Sequence, residues 1–219
     1  MLARLKPRPT SYSALWRGFS PAARYFRRGG RVGRGFSPAC QAATRLLRSA
    51  AMARPPRVKG FAYVGFHRYF VTTATYRRVP WFSDSHHAGS LTAQISPFFA
   101  EHAFEVVAFC VMPDHVHLLL EGAAEDADLR HAVPLWKQRT GHWWRSRLGS
   151  RLWQPGFHDH VLREQEDTRS VVGYLLLNPV RAGLVARVED YPWVGSSRYA
   201  VDDLQRHTGD WSPSWSRRG

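Results

Sequence analysis

The sequence predicts an α+β domain of the ferredoxin-like, split-βαβ kind, with an added C-terminal helix. Three observations lead there. From about residue 60 the patterning runs strand, helix, strand, strand, helix, strand. The second and third strands abut at Met112-Pro113-Asp114, which reads as the tight turn of a hairpin. A further amphipathic helix then follows the last strand, and its apolar stripe needs a surface to cover.

The elements can be taken in order. Arg68 to Tyr76 (RYFVTTATY) is dense in β-branched and aromatic residues and predicts the first strand, closed by Arg77-Arg78-Val79-Pro80. His86 to His102 carries Leu91, Ile95, Phe98 and Phe99 at helical spacing, with Pro97 expected to kink it or end it early. Phe104 to Val111 and His115 to Leu120 form the hairpin. Asp126 to Leu148 is a long helical pattern opened by acidic residues, with Pro134 against it. His158 to Arg163 is a short fourth strand, and Asp167 to Leu177 the added helix.

Residues 1–56 differ from all this. They are rich in Arg, Ser, Ala and Gly, contain no acid up to residue 50, and repeat Gly-Phe-Ser-Pro-Ala at 18–22 and 35–39. Such a segment suits an organellar transit peptide, a disordered nucleic-acid-binding arm, or a start placed upstream of Met52. The last is preferred, because Met52 directly precedes the first folded-looking stretch. The expected division is therefore a basic extension over 1–56, a domain over 57–204 and a tail over 205–219.

The net charge of +14 suggests a polyanionic partner. Eleven of the 31 basic residues fall within residues 1–50, however, leaving 20 against 17 acidic ones and only +3 for the remainder. Local charge is more telling. No acid occurs between Leu129 and His158, while Arg130, Lys137, Arg139, Arg145, Arg147 and Arg151 do. Interleaved with Trp136, Trp143, Trp144 and Trp153, this stretch suits a phosphate backbone with unstacked bases. It equally suits a solvated helix whose Trp residues pack inward. No apolar run reaches the roughly 18 residues of a membrane span. Cys40 and Cys110 lack metal-ligand spacing and imply no disulfide framework, which fits a reducing cytoplasm.

Two places can carry chemistry. His115 and His117 lie two apart on a strand, so both imidazoles leave one face while Val116 and Leu118 leave the other. Paired neutral imidazoles serve a divalent ion, although two half-exposed strand histidines are the bland alternative. His158 and His160 repeat the spacing as a rival pair, with charged Asp159 between them. On the added helix, Val171, Val172, Leu175 and Leu176 form the apolar stripe. Tyr174 and Asn178 adjoin on its flank at i, i+4. Asn178-Pro179 also predicts a helix start, with Asn as N-cap and Pro at the first helical position.

Five strings occur in order: Tyr69-Phe-Val-Thr-Thr-Ala-Thr-Tyr-Arg77, Met112-Pro-Asp-His-Val-His-Leu-Leu-Leu120, Leu152-Trp-Gln-Pro-Gly-Phe-His-Asp-His-Val-Leu-Arg163, Tyr174-Leu-Leu-Leu-Asn-Pro-Val-Arg-Ala-Gly-Leu-Val185 and Asp190-Tyr-Pro-Trp193. Together they resemble the REP-associated tyrosine transposases, single-tyrosine HUH enzymes related to small insertion-sequence transposases. The likeness covers roughly residues 60–200; Val194-Gly195 displaces the serine pair expected after the Tyr-Pro-Trp string. It implies nicking and rejoining of single-stranded DNA beside a hairpin. Tyr174 would be the nucleophile that forms a 5′-phosphotyrosine, with Mg²⁺ or Mn²⁺ held by His115, His117 and Asn178. It also implies a cytoplasmic monomer or homodimer. Two rivals keep the fold: a hairpin-binding regulator without catalysis, and a nuclease that activates water on its metal.

Overall fold

The structure is a computed structural model and describes residues 60–164 and 166–199. The expected extension over 1–56 and tail over 205–219 lie outside these residues. The first strand, β1 (Arg68–Ala74), leads into α1 (Ser85–Glu101), and the hairpin β2 (Phe104–Met112) and β3 (His115–Gly122) follows. Next come α2 (Leu129–Leu148), β4 (His158–Val161), α3 (Thr168–Leu176), a one-turn α4 (Asn178–Arg181) and β5 (Val194–Ser196). The strands form one antiparallel sheet in the order β4-β1-β3-β2-β5. The first four places are those of the ferredoxin-like split βαβ, with β5 added beside β2.

Register decides what each face can do. Thr72 pairs with His117, Ala74 with His115, and Cys110 with His117 from the other side. Residues two apart share a face, so Phe70, Thr72, His115, His117, Leu119 and Cys110 belong to one side. Tyr69, Val71, Val116 and Leu118 belong to the other. That second side is sealed by α1 and α2 through an aromatic core in which Phe99 meets both Phe104 and Trp136, and Tyr69 meets Phe104. The first side is covered by α3, whose Val171, Val172, Leu175 and Leu176 are buried against Phe70, Cys110, Met112 and Leu119. Each such side chain contributes about 1.5–3 kcal/mol by leaving water.

Aspartates open all three longer helices. Asp84, Asp128 and Asp167 each accept from two backbone N–H groups of the first turn, using an acceptor to satisfy donors that the helix cannot. Helix α2 therefore starts at Leu129, three residues later than its acidic prelude suggested. Neither proline in these helices ends its element. Pro97 and Pro134 both lie inside helices that continue past them. A mid-helix proline costs about 3 kcal/mol, but the turn after Pro97 buries Phe98 and Phe99, and the one around Pro134 buries Val133 and Trp136. Burial outweighs the lost hydrogen bond. Strand β5, only three residues long, had no sequence signal.

Gly122 ends β3 where the chain passes very close to Gly65, and a Cβ there would sit 1.9 Å from the Gly65 carbonyl oxygen. Backbone cannot yield as a side-chain tip can. Gly122→Ala should cost about 2–3 kcal/mol and lower Tm by roughly 5–10 °C. An unchanged melting curve would mean that the Gly65 segment gives way freely.

Candidate active site

The β2–β3 turn is latched to the end of β1. Both the backbone N–H and the hydroxyl of Thr75 donate to the Asp114 carbonyl, at 2.9 and 3.0 Å. This fixes Asp114, whose carboxylate holds His115 Nδ1 at 2.6 Å and lies 3.5 Å from Arg78. Although burial opposes it, the hydrogen bond and charge of His115, with Arg78 behind, hold the Asp114 carboxyl below its usual range. One strand over, His117 Nδ1 meets Thr72 Oγ1 at 2.8 Å. The two rings are thereby gripped on their far nitrogens and face each other with the near ones, His115 Nε2 lying 3.1 Å from His117 Nε2.

That spacing has a chemical meaning. A carboxylate cannot donate, so His115 Nδ1 carries a proton and a neutral His115 presents a bare Nε2. If Thr72 donates to His117 Nδ1, then His117 Nε2–H donates to His115 and the pair is satisfied. If Thr72 instead accepts, both Nε2 lone pairs point into the same space and require a cation there. Turning one hydroxyl separates the two states. Burial first, then His115, Arg181 and Arg78, push the His117 pKa well below its ordinary value, keeping the ring neutral and able to act as a ligand. Two nitrogens 3.1 Å apart, each about 2.1 Å from an ion, would subtend roughly 95°, nearer the right angle of an octahedron than a tetrahedral angle. The pair could serve as two nitrogen ligands of a divalent ion. Among the described residues no group of three or more His, Cys, Asp or Glu could hold a metal. The rest of a coordination shell would have to come from water, substrate or an amide.

The rival pair differs. His158 and His160 lie on the same sheet face, opposite Thr72 and Phe70, but His160 Nε2 is engaged by both carboxylate oxygens of Glu166 at 2.9 Å. This ring is a hydrogen-bond partner of the loop that follows β4.

Tyr174 reaches the same face from α3. Its ring and that of His117 both neighbour Phe70, with centroids 6.3 and 5.4 Å from it. Tyr174 is half-buried. The phenols of Tyr69 and Tyr191 are both pushed above their ordinary pKa by burial, and Tyr191 donates to the Val111 carbonyl at 2.8 Å. Neither is placed to act as a nucleophile.

Asn178 is not an N-cap. It is the first residue of α4, and its Nδ2 donates to the Leu175 carbonyl at 2.9 Å. Its Oδ1 accepts from Arg181 Nη2 at 2.9 Å, so the one atom that could serve an ion is turned to a guanidinium. The α3–α4 junction is nearly continuous, with Leu177 in helical conformation, which leaves no extended residue for a side-chain cap. Thr72, Asp114, Phe70 and Arg181 were not singled out from the sequence. Of these, only Asp114 had a visible signal, as an acid adjoining His115.

The basic residues divide. Arg130, Lys137, Arg145 and Arg151 line an open groove of about 750 Å³ between α2 and the 151–157 segment, together with Gln138 and His142. Lys137 is committed to that segment, donating to the carbonyls of Gln154 and Gly156. Arg151 donates to the Trp153 carbonyl and stacks on Tyr76. Arg139 lies elsewhere, paired with Glu101 of α1 at 3.4 Å, and Arg147 rests over the Trp143 ring. Trp136, Trp144 and Trp153 are buried. For these three the inward-packing reading is the right one.

Residues 63–175 match the family model described as "Transposase IS200 like", a stretch that begins ahead of β1 and ends just past Tyr174. A REP-associated tyrosine transposase of Escherichia coli strain K12 is 30% identical over 93 residues, spanning 42% of this chain and 54% of that protein. A Haemophilus influenzae protein described as a "Putative REP-associated tyrosine transposase" is 29% identical over 121 residues, spanning 50% of this chain and 68% of that one. Among solved structures, that of a REP-associated tyrosine transposase bound to a REP hairpin shares the fold. Its TM-score is 0.55 at 24% identity, covering 69% of this chain and 90% of that one. Among the described residues no helix is long and apolar enough to cross a membrane.

Proposed function

The chain belongs to the IS200-like transposase family, and on that premise we propose that it cuts and rejoins single-stranded DNA beside a hairpin, using Tyr174 as the nucleophile. The observation that carries this reading is the convergence of His115 and His117 on one point of the sheet face that Tyr174 overlooks. A pure binding protein has no need of two imidazoles locked Nε2 to Nε2, nor of a half-open tyrosine beside them.

In this reading His115 and His117, with Asn178 once its oxygen is freed, hold Mg²⁺ or Mn²⁺. When bound, the ion polarises the scissile phosphate and offsets charge gained in the transition state. Tyr174 Oη attacks in line and becomes the 5′-phosphotyrosine, leaving a free 3′-hydroxyl that can reverse the step. The phosphotyrosine keeps the energy of the broken bond, so no nucleotide cofactor is required. Asp114 and Thr72 orient the two imidazoles by their far nitrogens. The folded unit is taken as 57–204, acting as a monomer or homodimer in the cytoplasm.

The test is a hairpin oligonucleotide with a single-stranded flank, incubated with Mn²⁺ and run on a denaturing gel before and after protease. Protein-linked DNA that protease releases supports the tyrosine reading. Cleavage without linkage would indicate water as the nucleophile, and binding without cleavage a regulator.

The groove beside α2 supplies the hairpin contacts in this proposal. Arg130 and Arg145 both line that groove. Neutralising either to Gln should therefore flatten the slope of log affinity against log salt by about 0.7–0.9. Arg139→Gln, on the α1 side, should leave the slope unchanged. The reverse pattern would move the DNA to the other side of α2.

A further inference from the structure

Arg181 belongs to the Asn-Pro-Val-Arg-Ala-Gly-Leu-Val string but has no part in the function proposed above. Its placement is specific. The Cζ atom lies 3.8 Å from the centroid of the Tyr174 ring, and Nη2 donates to the Tyr174 carbonyl at 2.7 Å and to Asn178 Oδ1 at 2.9 Å. One guanidinium thus touches the aromatic ring, the backbone of the same tyrosine and the amide one turn on. Its charge is also felt at His117 and at Cys110 on the sheet face.

The local fold is built to hold it there. Gly183 adopts φ 67°, its N–H donates to the Val180 carbonyl, and Leu184 N–H reaches back to the Pro179 carbonyl. This is the Schellman arrangement that terminates a helix. It stops α4 directly after Arg181 and accounts for the Ala-Gly-Leu that follows in the sequence.

We propose that Arg181 is a catalytic residue of this reaction, engaging the non-bridging oxygens of the phosphate as it passes to and from Tyr174. The proposal rests on the reading of Tyr174 as the nucleophile. As the Tyr174 Oη–P bond forms, the P–O3′ bond breaks. The phenolic proton is lost, and the departing 3′ oxygen takes one up to become a hydroxyl. A diester with one negative charge passes through a pentacovalent state with two, and returns to one in the phosphotyrosine. A cation stacked on the nucleophile's own ring is matched to that added charge. The two bonds drawn from Nη2 leave Nη1 to donate to a non-bridging oxygen of the phosphate, and the guanidinium keeps its charge throughout. The residue remains partly open to solvent, as a substrate contact must. Engaging the phosphate would also draw the guanidinium off Asn178 Oδ1, freeing that oxygen as substrate arrives.

The test uses the full chain and a hairpin whose cut position has been mapped by sequencing the released 3′ end. Two versions are compared, one with the ordinary scissile phosphodiester and one with an uncharged methylphosphonate there. Arg181→Ala and Arg181→Lys should slow single-turnover formation of the protein–DNA adduct on the diester by about 10²-fold or more, with hairpin binding retained. On the methylphosphonate the wild-type advantage should largely disappear, because the charge to be met is gone. An equal loss on both substrates would show that Arg181 merely props Tyr174 and would overturn the proposal, as would no loss on either. Should Arg181→Ala fail to bind hairpin, the comparison passes to Arg181→Lys, which keeps the charge and the helix. If wild type forms no adduct at all, the tyrosine reading fails first and this proposal with it. That result is distinct from an adduct indifferent to Arg181.

Discussion

Tyr174→Phe is expected to fold, bind hairpin DNA and form no covalent adduct. The substitution removes one hydroxyl and keeps the ring, so the contacts with Phe70 and the Arg181 guanidinium survive. A half-buried side chain that loses only a hydroxyl should change stability by about 0.5 kcal/mol or less. The chemistry is expected to be lost outright, because phenylalanine offers no oxygen to attack the phosphate. Mass spectrometry of the trapped wild-type adduct should find the nucleotide on the peptide containing Tyr174. A nucleotide on any other tyrosine, or robust cutting by the Phe variant, would remove the central claim.

His117→Ala should be nearly as severe by a different route. The ring is one of two facing imidazoles, and its loss leaves His115 as a single nitrogen ligand held by Asp114. Metal assistance worth several kcal/mol corresponds to a rate loss of roughly 10³-fold. Binding of Mn²⁺, followed by calorimetry in the absence of DNA, should weaken in parallel, while affinity for the hairpin changes little because the basic groove lies on α2. His160→Ala is the control. Its imidazole is already occupied by Glu166, so metal binding and cleavage should persist. If His160→Ala is inactive and His117→Ala active, the metal belongs to β4 instead.

The sheet was legible in the sequence because its strands are strongly patterned and its hairpin turn is marked by Pro-Asp. The same alternation placed His115 and His117 on one face. The less visible parts are those where a residue's meaning comes from another strand or helix. Thr72 is an ordinary strand threonine until register sets it opposite His117. Arg181 resembles any basic residue near a helix C-terminus until the α3–α4 junction folds it back over Tyr174. Pro97 and Pro134 misled because local propensity cannot weigh the aromatic burial on either side of them. The Trp residues of α2 illustrate the converse: Trp136 and Trp144 fill the core, and the basic residues beside them split between a groove and the α1 side. Composition alone cannot assign faces.

The division of labour between the two sides of the sheet has a genetic consequence. Along β3, His115 and His117 are the proposed metal ligands, while Val116 and Leu118, both fully buried, hold the strand against α1 and α2. Substitutions stepped one residue at a time through 115–118 should therefore alternate in phenotype. Inert but thermally sound protein is expected at the odd positions, and poorly accumulating protein with intact chemistry per folded molecule at the even ones. A screen that scores only transposition would see four equivalent losses. One that also measures protein abundance would resolve them into a two-residue rhythm.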